Sequence, residues 1–230
     1  MSEEEGPTAS SSPTRISKHP IHGIYGEDLG RILSLSDGVF AFALTLLALS
    51  LAVPTFDTTG LTKGQVSSHL AFLLQQDYNA FIGYAFAFVM IGLWWIAHHR
   101  TFEYIGRYNS RLVWLNMLVL MQIAVMPFVL SVFNNYSDTQ VAVDLFAGVQ
   151  VSLGLSTTLL WDYARRAKLL KKDVPEPIAQ FFVRRGLYTS AVFALSIGLS
   201  FYSVTIAEIS WVLTFVIQGE LNRRGVELPP

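Results

Sequence analysis

Residues 31–54 read RILSLSDGVFAFALTLLALSLAVP. This is one apolar helix with a polar, charged entrance: an acid near its start and a threonine in its middle. The chain around it has 230 residues, 52% of them hydrophobic and only 14% charged, and its mean hydropathy is +0.42. A soluble domain carries about a quarter charged residues. The shortfall, with the charges clustered, indicates an all-α membrane protein. The net charge of −1 says little, because orientation follows the placement of Lys and Arg rather than their sum. With no cysteine in the chain, disulfides, thiol catalysis and Cys-based zinc sites are excluded.

Outward from this helix, spans are bounded by charge. A bilayer core of about 30 Å asks for about 20 apolar residues per helix. Uncharged stretches of suitable length run from Asp37 to Asp57, Asp77 to His98, Arg111 to Asp138 and Asp144 to Asp162. From Arg185 to Glu220 only Glu208 interrupts, and this stretch is too long for one span. It reads as two short helices, 185–202 and 205–221, with a turn near Tyr202 and Ser203. Six spans place 15 of the 16 basic residues on the side of the N-terminus, with Lys63 alone opposite. That asymmetry predicts a multi-pass protein with both termini cytoplasmic; five spans would strand Arg223 and Arg224 outside. The Ser-, Pro- and Glu-rich residues 1–25 read as a disordered cytoplasmic tail and not a signal peptide. Residues 26–222 form the membrane domain, and 223–230 a short cytoplasmic tail. Residues 66–76 read as a short amphipathic outer segment, and 171–177 as a linker between helices. Trp94, Trp95, Trp114 and Trp161 fall near span ends, as interfacial aromatics do, and Pro127 predicts a kink in the third span.

No phosphate-binding glycine loop or nucleophile elbow is present, so an enzyme is not expected. On a helical wheel at about 100° per residue, Arg31, Leu35, Phe42, Leu46 and Leu49 share one stripe, with Thr45 alongside. Asp37 lies on roughly the opposite face. It is either a functional acid or a carboxylate helped by the dipole of a helix N-terminus. His98 and His99 diverge by about 100° and cannot readily chelate one metal. Glu103 adds at best a weak pair with His99, and the histidines read as interfacial groups bonded to polar neighbours. Asn116 and Gln122 are candidates for polar contacts between helices. Glu208 is expected at the outer surface, and the basic run 165–172 as a solvated stretch near anionic headgroups. No cofactor, metal or nucleic-acid partner is expected.

The residues RILSLSDGVFAFALTLLALSL resemble the opening helix of the transmembrane protein 175 family, the endosomal/lysosomal potassium channels and their bacterial relatives. The family hallmark is an Arg followed by Phe-Ser-Asp; here Arg31, Ser36 and Asp37 match and Leu35 replaces the Phe. The block LWWIAHHRTFEYIGRYNSRLVWLN at 93–116, followed by Met126-Pro127-Phe128, is similar to the family's second and third helices, with Asn109 where an acid is usual. The likeness covers residues 28–132. It implies six helices per subunit, a homotetramer, and a central pore lined by the first helix, without a TVGYG carbonyl filter. It further implies a pore constriction at Phe42, Leu46 and Leu49 and a selectivity layer at Thr45. Arg31, Ser36, Asp37, His98, His99 and Asn116 would form a polar network behind the pore helix. Phe42 stands where Ile or Leu is usual: its ring would either close the pore more tightly or swing aside and add cation–π attraction. The expected function is a potassium-permeable, leak-like cation channel of a prokaryotic cell membrane, since no span carries an Arg ladder. Alternatives are a proton-conducting channel or ion-coupled transporter relaying through Asp37 and the histidines, a membrane-embedded enzyme using these groups with Glu103, or a purely structural protein.

Overall fold

The computed structural model describes residues 29–51, 53–172, 174–214 and 216. The expected tails at 1–25 and 223–230, with Arg15, Lys18, Arg223 and Arg224, lie outside the described residues, as does the end of the expected sixth span.

The described residues are nearly all helical: α1 (Gly30–Leu47), α2 (Lys63–Gln76), α3 (Tyr78–Glu103), α4 (Ser110–Tyr136), α5 (Gln140–Arg166), α6 (Glu176–Ser200) and α7 (Val204–Ser210). Among them, four stretches are long and apolar enough to cross a membrane: Gly30–Leu47, Ala80–Glu103, Ser110–Tyr136 and Gln140–Arg166. The α6 helix is long enough but carries Glu176, Arg184 and Arg185. Beyond it, the turn expected near Tyr202 and Ser203 is present, and a shorter apolar helix covers Val204–Thr214.

The opening helix is shorter than its uncharged stretch. It tightens into a 3-10 turn at Ala48–Ser50, and Leu51 is extended (φ −82°, ψ 98°). Pro54 contributes to this ending, because a proline disfavours the helical conformation in the residue before it. The chain then turns through Gly60, whose φ of 77° suits a residue without Cβ. Thr62 and Gln65 form a reciprocal capping box that starts α2. Within the single chain α2 buries no residue. At the other end, α6 starts well before the expected 185. Pro175 is its N-cap and Pro177 lies in its first turn, where a missing N–H costs nothing. Arg184 and Arg185 are therefore carried inside the helix.

The α1 helix packs on α3 and α4, α4 on α5, and α5 on α6, with α7 folded back on α6. The core runs through Phe40, Ile91, Ile123, Met126, Phe146 and Leu153, each at most 1% exposed. The closest packing is between α5 and α6, which are antiparallel. The Ser200 hydroxyl donates to Asp144 (2.6 Å), that of Ser190 to the Val151 carbonyl (3.2 Å), and the Trp161 indole N–H to the Ala179 carbonyl (2.8 Å). Small residues make this register possible. A Cβ on Gly154 would collide with Ser190 Oγ, and one on Gly186 with Thr158 Oγ1; each would also lie 3.1 Å from the other glycine's carbonyl oxygen. Close approach through glycine is how helices associate where lipid offers no hydrophobic driving force. Trp161 is thus a buried seam residue, 1% exposed, and not the interfacial aromatic expected from its place in the sequence. Trp114, 74% exposed, does lie on the surface.

The ends of the helices are tied together as well. Ile105 and Leu170 form an isolated antiparallel bridge, with Lys171 N–H donating to the Tyr104 carbonyl (2.9 Å). Asp162 accepts from Arg165 (3.0 Å) and pairs with Arg166 (2.7 Å), while Arg165 reaches Glu176 of α6 (3.5 Å). Two arginines of the basic run are therefore paired with acids.

Gly186→Leu is expected to force α5 and α6 apart and to destabilise the fold by about 1–3 kcal/mol or more. Thermal unfolding in detergent, followed by the loss of the monodisperse gel-filtration peak, measures this. A midpoint equal to that of the unsubstituted protein would refute the seam.

Candidate functional site

The α1 helix has two distinct faces. Ser36, Phe40, Ala43 and Leu47 are buried against α3 and α4. The other face carries Arg31, Leu35, Phe42 and Thr45, all exposed in the single chain, with Leu46 half-buried and Leu49 exposed in the 3-10 turn that follows. Phe42 is 64% exposed and Leu49 79%. Gly38 lies on the same face, and a Cβ there would meet nothing within 4 Å. The Thr45 hydroxyl donates to the Phe42 carbonyl of its own helix (2.8 Å), so its lone pairs are left to accept.

Behind the buried face lies a closed polar chain. Ser36 Oγ donates to the Ile32 carbonyl (2.9 Å), and Asn116 Nδ2 donates to Ser36 Oγ (3.0 Å). Asn116 Oδ1 sits 2.8 Å from His98 Nε2. Because the Asn116 amide nitrogen is committed to Ser36, its oxygen faces the ring. An amide oxygen only accepts, so His98 Nε2 carries the hydrogen and donates. The ring is held between Phe40 (5.5 Å between centroids) and Phe102 (4.6 Å, stacked). Ser36, Asn116 and His98 are 0%, 1% and 5% exposed. His98 is therefore buried rather than interfacial, and three helices meet in three side chains.

Asp37 belongs to a separate string. It lies about two turns into α1, past the first turn in which a helix dipole acts on a carboxylate. The Trp95 indole N–H donates to it (2.9 Å). Trp95 in turn packs on the His99 ring (5.4 Å), and His99 lies 3.9 Å from Glu103. This string ties α1 to the outside of α3. Arg31 joins neither string, and its side chain makes no hydrogen bond or ion pair among the described residues. So the residues expected to form one network are divided: Ser36, Asn116 and His98 together, Asp37 and His99 along Trp95, Arg31 apart.

Trp95 was legible only as an interfacial aromatic. The available signal was a four-residue spacing to His99 beside an acid on the neighbouring helix that needed a donor. Asn109, at the position where an acid is usual, caps α4 by accepting from Leu112 N–H (3.0 Å) and donates to the Tyr163 hydroxyl (2.8 Å). A carboxylate could cap but not donate. Gln122 of α4 donates to Ser156 of α5 (3.0 Å).

Residues 31–127 match the family described as endosomal/lysosomal potassium channel TMEM175. A potassium channel of Streptomyces collinus is 32% identical over 179 residues, which are 76% of this chain and 83% of that protein. The chain belongs to the TMEM175 family. A second TMEM175 relative, a potassium channel of Chamaesiphon minutus, is 31% identical over 181 residues, 77% of this chain and 86% of that protein. In three dimensions the chain resembles the crystal structure of a lysosomal potassium-selective channel TMEM175 homologue from Chamaesiphon minutus. The TM-score is 0.66 at 24% identity, over 86% of this chain and all of that one, a likeness of fold. TMEM175 is a family of ion channels, not of enzymes, and the four apolar spans agree with a membrane protein.

Asn116→Leu leaves both Ser36 and His98 buried without their partner. It is expected to cost about 1–3 kcal/mol, read as a lowered thermal midpoint of the purified protein. Ser36→Ala should cost less, because only one amide hydrogen is orphaned. Equal midpoints for all three proteins would show that the chain of hydrogen bonds carries no stability.

Proposed function

We propose that the chain is the subunit of a homotetrameric, potassium-permeable, leak-like channel of the cell membrane, with the exposed face of α1 lining a central pore. The observation that carries this is the exposed stripe itself. Phe42, Leu46 and Leu49 stand on a helix whose opposite face is fixed by the Ser36–Asn116–His98 chain. Six spans per subunit, with α6 and the helix after it as the fifth and sixth, one channel domain over 26–222 and both termini in the cytoplasm belong to the same reading.

Four copies of the stripe would stack apolar rings along the axis. Such rings offer a cation no coordinating atom, so they gate by width and wetting. Passage requires the rings to admit an ion with much of its hydration shell. Phe42 narrows the axis at the first ring, and the quadrupole of its face attracts a cation that passes it. One turn on, Thr45 can present an oxygen lone pair because its hydrogen is engaged at the Phe42 carbonyl. Arg31 stands at the entrance of the same face. A relay of protons through Asp37 and the histidines has weaker support. Asp37 bonds to Trp95 and His98 to Asn116, and no hydrogen bond joins the two strings among the described residues.

Phe42→Ala and Leu46→Ala are each expected to widen the constriction and to raise potassium flux into proteoliposomes severalfold. Flux and selectivity unchanged in both variants would count heavily against α1 as the pore helix.

Thr45→Val keeps the shape of the side chain and removes the oxygen. In planar bilayers with potassium on one side and sodium on the other, the reversal potential of this variant should move towards zero. The same recording on the unsubstituted protein separates the readings: a potential set by the potassium gradient supports this one, and a current driven only by a proton gradient supports the relay.

A further inference from the structure

The loops that follow α3 and α5 are fastened to each other at one end of the helices. Across the Ile105–Leu170 bridge, the N–H groups of Gly106 and Arg107 both donate to the Leu169 carbonyl (2.9 and 3.1 Å), and Lys171 N–H donates to the Tyr104 carbonyl (2.9 Å). The Arg107 guanidinium reaches the Lys168 carbonyl (3.4 Å). A Cβ on Gly106 would stand 3.2 Å from Cγ of Lys171, so the lysine stem crosses the first loop there. Arg107, Lys168 and Lys171 are thus gathered on one clamp, and all three are exposed. None of them makes an ion pair among the described residues. The nearby acids are engaged elsewhere: Asp162 by Arg165 and Arg166, Glu176 by Arg165, while Glu103 lies beside His99. Asp173 lies outside the described residues. In the sequence, residues 100–111 and 162–185 together carry ten basic residues against four acids, so the surplus at this end is positive.

Lys168 is the unusual member. The α5 helix ends in a Schellman motif: Leu169 N–H donates to the Ala164 carbonyl (2.9 Å) and Lys168 N–H to the Arg165 carbonyl (3.1 Å). The residue that closes such a motif is left-handed and usually glycine, and Lys168 takes that place at φ 56°. Its side chain therefore strains the backbone where glycine would not. What it supplies is a third cation on the clamp. We propose that Arg107, Lys168 and Lys171 bind the phosphate of an anionic lipid headgroup. Position favours a lipid, because the candidate spans Ala80–Glu103 and Gln140–Arg166 end within five residues of these cations. The headgroup layer adds about 5–7 Å beyond the hydrocarbon core on each side, a depth that loops at span ends and their long side chains cover. Chemistry favours a phosphate: the guanidinium offers it a planar fork and each ammonium a point charge. The site uses no residue of α1 and is independent of the pore reading.

The test is native mass spectrometry of the purified protein, titrated with phosphatidylglycerol, with phosphatidylcholine, and with glycerol phosphate as a headgroup without its chains. Phosphatidylglycerol should bind about tenfold more tightly than phosphatidylcholine. Arg107→Gln, Lys168→Gly and Lys171→Gln should each weaken its binding about fivefold, and Lys171→Arg should leave it unchanged. Arg184→Gln, which removes an exposed cation of α6 that lies off the clamp, should also leave it unchanged. Lys168→Gly keeps the test open should the other variants fail to fold, since glycine takes the left-handed position without strain. Its thermal midpoint without lipid should rise while its lipid binding falls. No preference over phosphatidylcholine, a preference retained in all three neutral variants, or an equal loss in Arg184→Gln would overturn the site and leave a general attraction of basic loops to the membrane. Glycerol phosphate bound as tightly as phosphatidylglycerol would overturn the lipid as occupant.

Discussion

An amide buried among membrane helices has no water to fall back on, and Asn116 is such a group. Its two ends must be met by the protein, one by an acceptor and one by a donor. Ser36 of α1 meets the nitrogen and His98 of α3 meets the oxygen. Rotating α1 by one residue would carry Ser36 about 100° away from α4 and leave the amide orphaned. This single bonded side chain therefore fixes the rotation of α1 about its own axis. All that the exposed face of α1 presents, from Arg31 to Leu49, depends on that angle.

The Asp37–Trp95 bond acts with it from a different direction. Two tethers to two helices hold a helix against both rotation and sliding, where one would allow swivelling. Apolar packing of Phe40, Ala43 and Leu47 supplies contact area but little angular preference, because lipid tails are as apolar as the neighbouring helices. The chain thus divides the work on α1 by chemistry. Polar groups set its orientation, buried apolar groups fill its contact, and the remaining stripe is left free to face whatever lies on that side.

The class of fold was legible because its signal is coarse. Lipid forbids charges over about 20 residues, so helices α3, α4 and α5 stand out between charged residues. The two faces of α1 were legible too, since a wheel needs only the helical period. The ends were not. The halt of α1 short of Pro54 and the early start of α6 at Glu176 depend on turns and caps, which charge spacing does not record. The role of Trp161 was also hidden: a tryptophan near a span end reads the same whether it faces headgroups or a glycine seam, and only the packing of α6 on Gly154 decides. Among the site residues, the contact of Ser36 with Asn116 joins positions far apart in sequence. A single sequence carries no pairing information at that distance. Asp37 drew attention as the one acid in the opening span, but its partner Trp95 is no charge, so no search for ion pairs would have found it.

The two amides at helix junctions show how much the surroundings decide. Asn116 and Gln150 are both buried, and both are oriented by a neighbour that can play only one part. On the α1 side the helices close fully, and each end of the amide finds a mate. On the other side α3 stands off from α6 and α7, so Gln150 is bound at its oxygen by Trp94 and left open at its nitrogen. An apolar residue at 150 would remove the unmet N–H₂ but leave the Trp94 indole N–H without its acceptor, so the bond at the amide oxygen accounts for the amide. The side of the subunit that holds α1 therefore satisfies its buried amide at both ends, and the side between α3 and α7 leaves one end of its amide unmet.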